Sequence, residues 1–305
     1  MSPHMKQNKV GIIELKDDPF ILDVVSRLSD LPVEFLSFAD WTVPITTDYR
    51  VIVDRLSYRS SYLKEVVRNL ALDGTYVINN PFTASVSNKM LDEWIFKNLG
   101  IPSPKSVVLP GSEPKEELVG VFNEPSWRRI ADEVGLPCVL KPVDGYGWDY
   151  VYMVNTLDEL KRNYASAGMG KVWLVQQKIN YKHYYRVFCI DKKEVLFIKW
   201  IPRPLGAGEY LYSDLKEIDD IRDRLTEQTI RLNSCLDMDI NVVEWCVDDT
   251  GQPWVIDAFN EVPDMPKSRM PPEYYGWIVD RFVACIKDKL GSDKQNRHSF
   301  NLHNI

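Results

Sequence analysis

The sequence has few of the residues that cross-link a small fold or bind a transition metal. Its four histidines have no spacing typical of metal ligands, which argues against a zinc site. Its five cysteines form no CxxC pair and lie far apart, at positions 138, 189, 235, 246 and 285. Three of them (138, 189 and 246) fall in apolar, strand-like runs. We therefore expect buried, reduced thiols and a cytoplasmic location.

A long apolar run and an excess of basic residues are also missing. No segment approaches the roughly 20 consecutive apolar residues of a membrane span. The net charge is -7, so the chain has no obvious basic face with which to neutralise phosphates. We therefore expect neither a membrane nor a nucleic-acid partner. With 305 residues, 45% of them hydrophobic, the chain is long enough for two or three domains. Their hydrophobic cores would need no disulfides or structural metals for stability.

Strands and helices alternate in the first 85 residues, a pattern that predicts a small domain with a parallel sheet. No GxGxxG follows the first strand, which argues against a dinucleotide-binding oxidoreductase. The predicted strands are KVGIIEL, VEFLSF, YRVIVDRL and TYVINNP, and the predicted helices are PFILDVVSRLSDL and SSYLKEVVRNLALDG.

The rest of the chain predicts two further units that mix helices and strands. The first contains a helix in SVSNKMLDEWIFKNLG, capped by Ser85 or Ser87, and three strands that include PCVLKPV and KVWLVQQKI. The second contains two hairpins, a charged helix over 214–236 and a closing helix in YYGWIVDRFVACIKDKL. The predicted division is 1–86, 87–179 and 180–291, followed by a polar tail at 292–305.

A glycine loop follows a lysine at the end of a predicted strand, in VLKPVDGYGWDYVYMV. Lys141 would place one compact positive charge at a fixed depth in a cleft, which suits a polyphosphate. The glycines of the next loop let backbone N–H groups approach phosphate oxygens. Lys89 lies in the first turn of a predicted helix, where the helix dipole also attracts anions. A tight turn and solvated lysines explain the same residues when each is taken alone.

Two other segments contain polar residues in apolar surroundings. The strand WLVQQKIN becomes polar at Gln176 and Gln177 and could offer its backbone to a purine, although a plain edge strand fits it too. In INVVEWCVDDTGQPWVIDAFN, Glu244 and Asp257 fall on paired strands and Asn260 follows them. Burying carboxylates there is costly unless a cation meets them. Two carboxylates and an amide oxygen suit Mg²⁺ bound together with phosphates. A sheet whose acids face water is the alternative.

Taken together and in order, these segments resemble the ATP-grasp enzymes of the branch that contains glutathione synthetase, D-alanine–D-alanine ligase and the ribosomal-protein glutamate ligases. The similar segments run from about residue 77 to residue 266. They are INNPFTASVSNKMLDEWIFKNLGIPSPKSVVLP, GLPCVLKPVDGYGW, VQQKI, YYRVFCIDKKEVLFIKWIPR and NVVEWCVDDTGQPWVIDAFNEVPDM. The resemblance implies an α/β (α+β) ATP-grasp fold, with a Rossmann-like N-terminal domain, a central lid domain and a C-terminal grasp domain.

The resemblance also implies a role for each matching residue, with ATP and Mg²⁺ as cofactors. The metal ligands would be Glu244, Asp257 and Asn260, and catalysis would use Lys141, Arg186 and Arg203. The nucleotide would contact Lys89, Lys141, Asp144, Gly145, Tyr146, Gly147, Trp148, Gln176, Gln177, Lys178 and Ile179. His183 is our candidate for the ribose. The candidates for binding a substrate are Arg55, Lys199, Lys267 and Arg269, and IPRPLGAGEYLY is a candidate substrate loop.

Two departures from the family pattern bear on these roles. The second metal strand has Asp257-Ala-Phe-Asn260, one residue longer than the common Glu-x-Asn. The sequence therefore leaves open which residue would bridge two metal ions. Gln177 stands where an acid is common. The implied activity is ATP-dependent carboxylate–amine ligation through an acyl phosphate, with small-molecule or peptide substrates and a homodimer as one expected state. The alternatives are an ATP-grasp phosphotransferase and a nucleotide-binding protein without catalysis.

Overall fold

The computed structural model describes residues 6–84, 88–111, 120–121, 123–145, 149–166, 171–203 and 207–291. The predicted caps Ser85 and Ser87, the loop residues Tyr146, Gly147 and Trp148, and the tail 292–305 lie outside these ranges. Within them the chain is a mixed α/β protein with three sheets.

The N-terminal sheet is parallel throughout, with strand order β2-β1-β3-β4, which confirms the prediction from alternating strands and helices. Helix α1 begins after Asp18, whose carboxylate accepts a hydrogen bond from the Ile21 N–H, and α2 begins after Ser60 in the same way. The elements are β1 (Gln7–Ile13), α1 (Pro19–Ser26), β2 (Val33–Phe35), β3 (Tyr49–Asp54), α2 (Ser61–Leu72) and β4 (Tyr76–Ile78).

The second sheet is antiparallel, with strand order β5-β8-β6-β7. Its first strand, in SVVL, was not predicted from the sequence. The cap of α3 also differs from the prediction, because Asn88 rather than Ser85 or Ser87 accepts the first N–H groups of the helix. The elements are α3 (Lys89–Leu99), β5 (Ser106–Leu109), α4 (Trp127–Val134), β6 (Cys138–Pro142), β7 (Tyr152–Val154), α5 (Leu157–Ser166) and β8 (Trp173–Gln177).

The third sheet is also antiparallel, with order β11-β10-β9-β12-β13, and it contains both predicted hairpins. Part of the candidate substrate loop forms its edge strand β11. The elements are β9 (Tyr181–Ile190), β10 (Glu194–Ile201), β11 (Glu209–Leu211), α6 (Asp219–Cys235), β12 (Ile240–Asp248), β13 (Pro253–Asp257) and α7 (Pro272–Gly291). None of the helices in the described ranges is long and apolar enough to cross a membrane.

One hydrophobic core spans two of the predicted units. Helix α7 packs its apolar side, with Ile278 and Phe282, against the N-terminal sheet at Val10 and against one face of the third sheet at Phe188. The other face of the third sheet packs on α6 and α3. The N-terminal and third sheets are therefore held together by a shared core, and the predicted domain boundaries stay a prediction.

A buried ion cluster reinforces the same junction. Asp239 is fully buried and lies 2.6 Å from the Lys192 ammonium and 3.5 Å from that of Lys289. It also accepts a 2.6 Å hydrogen bond from the Tyr76 hydroxyl. These contacts tie β4, the β9–β10 turn and α7 to the start of β12. Lysine ammonium groups supply the positive charge of this cluster, so its role is structural.

Candidate active site

Residues from all three sheets line one cavity of about 700 Å³. Most of the described residues that the sequence singled out lie on its wall. They are Lys89, Lys141, Asp144, Gly145, Gln176, Gln177, Lys178, Ile179, Arg186, Arg203, Glu244, Asp257 and Asn260.

Two lysines bring positive charge to the cavity from different elements. Lys141 is on β6 and only 8% exposed, and burial, reinforced by the nearby charge of Lys89, lowers its pKa to about 8. The Lys89 ammonium, on the first residue of α3, donates to the Gly145 carbonyl at 2.9 Å and is 3.9 Å from an Asp257 oxygen. A Cβ at position 145 would overlap the Pro142 ring, so the close packing of Gly145 against Pro142 requires glycine. Lys89 thus anchors the start of the predicted phosphate loop.

The two carboxylates face each other across neighbouring strands. Glu244 on β12 pairs with Asp257 on β13, because the register of these strands shifts by one residue between Glu244 and Trp245. Without that shift Ile256 would stand opposite Glu244, so the irregularity brings the second acid into the site. Burial raises the pKa of the Glu244 carboxyl, an effect that Arg186 opposes and Asp257 increases.

Two side chains on β9 hold Glu244 in place. The Tyr184 hydroxyl donates to one carboxylate oxygen at 2.6 Å, and the Arg186 Nε lies 3.5 Å from the other. The carboxylate is therefore fixed from one side and keeps lone pairs for a ligand on the other. Tyr184 was not predicted from the sequence, although its position two residues before Arg186 puts both on the same face of a strand.

Asn260 is oriented by backbone contacts. Its side-chain nitrogen donates to the Val242 carbonyl at 2.8 Å, and its backbone N–H donates to the Asn241 side chain at 2.7 Å. The amide oxygen is therefore left as the free end of the side chain. Together with Glu244 and Asp257 it forms a set of hard oxygen donors that fits Mg²⁺ bound with phosphates.

The Arg186 guanidinium is buried between two aromatic rings. Its central carbon lies 5.2 Å from the Trp200 ring and 5.5 Å from the Tyr210 ring. It donates to the Tyr210 hydroxyl, which in turn donates to the Asp264 carbonyl at 3.1 Å. Burial alone would lower the pKa of Arg186, but Tyr210 and Glu244 raise it. Arg186 is thus a fixed cation beside the carboxylates.

Other predicted residues also line the cavity, and each has a partner within the protein. Arg203 is about half exposed and pairs with Glu209 at 2.7 Å. The Gln176 side chain is buried and donates to the Ser106 hydroxyl at 3.2 Å. The Gln177 N–H donates to the Lys105 carbonyl at 2.8 Å, so a ligand cannot use that N–H group.

Two candidates on the third sheet lie outside the cavity. Because Tyr184 and Arg186 face the cavity from β9, the alternation of the strand turns His183 to the opposite face. There the His183 Nδ1 is 3.1 Å from a Glu217 oxygen, and the Lys199 ammonium is 2.8 Å from the same oxygen. Neither His183, the candidate for the ribose, nor Lys199, a candidate for the substrate, is therefore among the described residues that line the cavity.

The remaining substrate candidates are also not among the lining residues, in the part of the chain that is described. Arg55 is buried, with its Nε 3.5 Å from a Glu14 oxygen. The Lys267 ammonium pairs with Asp23 at 2.7 Å, and Arg269 pairs with an acid of its own loop at 3.1 Å. Each of these cations already has an acidic neighbour.

Lys64 and Glu261 line the cavity but were not predicted. The position of Glu261, directly after Asn260, is a signal that the sequence offers. Lys64 has no comparable signal, because only the packing of α2 against the rest of the fold brings it to the cavity.

Comparison with known proteins found similar solved structures but no matching family model or curated sequence. A structure of the ATP-grasp ligase PsnB, complexed with a phosphomimetic variant of a minimal precursor, Mg and ADP, is similar with a TM-score of 0.65 at 16% identity. The similarity covers 92% of this chain and 99% of that one.

Two further solved structures are similar over nearly the whole chain. The RimK-domain ATP-grasp protein from Sphaerobacter thermophilus DSM 20745 has a TM-score of 0.63 at 18% identity, over 93% of this chain and 100% of its own. A D-alanine–D-alanine ligase from Bacillus anthracis has a TM-score of 0.65 at 12% identity, over 94% and 98%. The chain therefore has an ATP-grasp fold like that of these proteins.

Proposed function

We propose that this chain is an ATP-dependent ligase that joins a carboxylate to an amine through an acyl phosphate, releasing ADP and phosphate. The observation that carries the proposal is the grouping of Lys89, Lys141 and Arg186 with the oxygen donors Glu244, Asp257 and Asn260 around one cavity. The ligand set of the PsnB structure, Mg and ADP, suits the same residues. ATP and Mg²⁺ are accordingly the cofactors that we infer.

In the first step, the carboxylate oxygen attacks the γ-phosphorus of ATP, and ADP leaves. Phosphoryl transfer needs mainly positioning and neutralisation of charge, so it requires no nucleophilic side chain from the protein. Lys89 and Lys141 would hold the phosphates, and Arg186 would stabilise charge on the transferred group. Mg²⁺ held by Glu244, Asp257 and Asn260 would supply further charge neutralisation on the phosphate oxygens.

In the second step, the amine nitrogen attacks the acyl carbon, and the bond from that carbon to the phosphate oxygen breaks. The phosphate leaves with the electron pair. An ammonium substrate loses two protons overall, one to the phosphate and one to solvent. Burial of Arg186 and Lys141 keeps these charges away from bulk water, where they would act more weakly.

The test is ADP and phosphate release with ATP, Mg²⁺ and a panel of amino acids and short peptides. We expect release to require both an acid and an amine. Lys141→Met and Asp257→Asn should lower kcat by about 100-fold or more, by analogy with the loss of one transition-state donor. Lys161→Met, an exposed lysine on α5, is the matched control and should retain activity.

Other results would replace the proposal. A phosphorylated product formed with a single acceptor would assign the chain to the phosphotransferases. ATP binding without turnover across the panel, in wild type and variants alike, would favour a nucleotide-binding protein.

A further inference from the structure

One face of the second sheet runs from the cavity to α3. The strand register places four residues side by side across this face, in the order Ser106 (β5), Gln176 (β8), Val139 (β6) and Met153 (β7). The last three line the cavity. The two apolar side chains offer a surface for a flat ring, and Gln176 is the polar group beside them. This part of the wall suits a purine base whose phosphates lie at the two lysines of the site.

The Gln176 side chain is joined to α3 by hydrogen bonds. It is only 5% exposed, and its amide nitrogen donates to the Ser106 hydroxyl at 3.2 Å and to a Glu93 carboxylate oxygen at 3.4 Å. The Ser106 hydroxyl donates to the same Glu93 oxygen at 3.0 Å. The Ser103 hydroxyl donates to the other Glu93 oxygen at 2.7 Å. Both oxygens of the Glu93 carboxylate are therefore held in place by residues of the second unit.

The chemistry of Glu93 decides which way the Gln176 amide points. An ionised carboxylate accepts hydrogen bonds and donates none, so only the NH₂ end of the amide can face Glu93. The carbonyl oxygen of Gln176 then faces away from α3, toward the cavity. Within the described ranges, no residue donates a hydrogen bond to that oxygen. It is therefore an acceptor at a fixed position, available to a ligand.

We propose that Glu93 is a positioning residue for the nucleotide: it holds the Gln176 carbonyl oxygen toward the base, so that the site selects a 6-amino purine over a 6-oxo purine. This assignment rests on the proposed function, in which ATP is the cofactor. The 6-amino group of adenine would donate to the Gln176 oxygen. The 6-oxo group of hypoxanthine or guanine would instead bring a second acceptor to it, and two acceptors without a proton between them repel.

A purely structural role for Glu93 predicts a different result. Glu93 is not itself among the described residues that line the cavity, so it would act on the base only through Gln176. If Glu93 merely joined α3 to the second sheet, its loss would weaken the binding of every nucleotide alike. The same holds for any effect of its charge on the phosphates, which all nucleotides share. Orientation of the amide changes the preference between two bases.

The experiment compares the binding of ADP and inosine diphosphate, which differ only at position 6 of the base and in the proton on N1, by titration calorimetry with Mg²⁺. We expect wild type to prefer ADP and Glu93→Gln to lower that preference about tenfold, since one hydrogen bond becomes a mismatch. The amide introduced at position 93 can donate as well as accept, so Gln176 is free to turn its NH₂ group toward the cavity. Gln176→Met removes the acceptor and should also lower the preference.

A double variant provides the rescue. Glu93→Gln combined with Gln176→Glu exchanges the two groups and keeps the net charge. The carboxylate at position 176 has only acceptor oxygens, so the preference for ADP should return. Glu133→Gln, which alters an exposed acid on α4, is the matched control and should keep the preference of wild type.

The inference is overturned if wild type binds the two diphosphates equally, if Glu93→Gln keeps the full preference, or if the double variant lacks it. Should Glu93→Gln fail to fold, Gln176→Met and the double variant decide, because the double variant keeps a hydrogen bond between the two positions. The measurement needs neither an acid nor an amine. A protein that prefers ADP in this way but forms no amide overturns the proposed function alone, and an active ligase that binds both diphosphates equally overturns this inference alone.

Discussion

The buried Lys141 predicts that ATP affinity falls as the pH rises through about 8. The pKa of this ammonium is about 8, lowered from 10.5 by burial and then by the charge of Lys89. Above that pH the unliganded protein carries a neutral lysine, and ATP binding must bring back a proton. The charged fraction falls from about 90% at pH 7 to about 10% at pH 9. Because only this fraction binds phosphate well, the apparent affinity should fall about tenfold.

The assay is equilibrium binding of ATP and Mg²⁺ between pH 7 and pH 9, at constant ionic strength and without an acid substrate. Lys141→Met is the control, because its binding still shows any pH dependence that comes from the nucleotide itself but none that comes from the lysine. Its affinity should be weak at every pH. Lys141→Arg keeps a charge across this range, since the guanidinium does not titrate there, and should bind with little dependence on pH.

Two results would refute the reasoning. An affinity of wild type that stays constant over this range, relative to Lys141→Met, would mean that Lys141 remains charged or does not contact the nucleotide. A tenfold fall in Lys141→Arg as well as in wild type would place the responsible titration elsewhere in the cavity.

Three further substitutions test other parts of the structure. Tyr184→Phe removes the 2.6 Å hydrogen bond to Glu244 and should weaken Mg²⁺ activation about five- to tenfold, measured by titrating Mg²⁺ in the ADP-release assay. Asp239→Asn breaks the buried ion cluster and should lower the free energy of unfolding by about 3–5 kcal/mol, measured by urea denaturation. Gly208→Ala would overlap the Trp200 ring that packs on the arginine of the site; it should destabilise the protein by about 1–3 kcal/mol and raise the substrate KM.

Each of these substitutions has a control elsewhere in the chain. Tyr212→Phe alters an exposed tyrosine and should leave Mg²⁺ activation unchanged. Asp280→Asn removes an exposed ion pair and should change stability by less than about 1 kcal/mol. Gly276→Ala, in α7, meets no atom within 4 Å and should be neutral or stabilising. If a substitution and its control behave alike, the contact assigned to that residue has no special role.

Local patterns in the sequence were sufficient for most of the elements, because strands and helices show their periods and caps over a few residues. Side chains alternate between the two faces of a strand, so Arg186 and His183, three residues apart on β9, lie on opposite faces. The short strand in SVVL escaped prediction because four residues give too little periodicity. The cap at Asn88 was missed because two serines nearby have a similar capping preference.

The features that the sequence did not predict depend on contacts between distant segments. The register shift that brings Asp257 opposite Glu244 is set by how β12 and β13 pair, and no residue type announces it. Lys64 lies 180 residues before Glu244, and only the docking of the N-terminal sheet through the shared core with α7 brings it to the cavity. The hydrophobic period of a helix does not show where that helix lies relative to the other sheets.

Pairing of charge, rather than burial alone, distinguishes the candidate site from the ion cluster at Asp239. In the cluster, the Lys192 ammonium lies 2.6 Å from a fully buried carboxylate, so its charges neutralise one another without a ligand. In the cavity, Lys141 has no ion pair among the described residues, and the Lys89 ammonium stays 3.9 Å from Asp257. Folding alone gains little from holding such charges apart in a buried space. The arrangement becomes favourable when phosphates and a divalent cation bind between them, and that is the physical basis for placing the chemistry here.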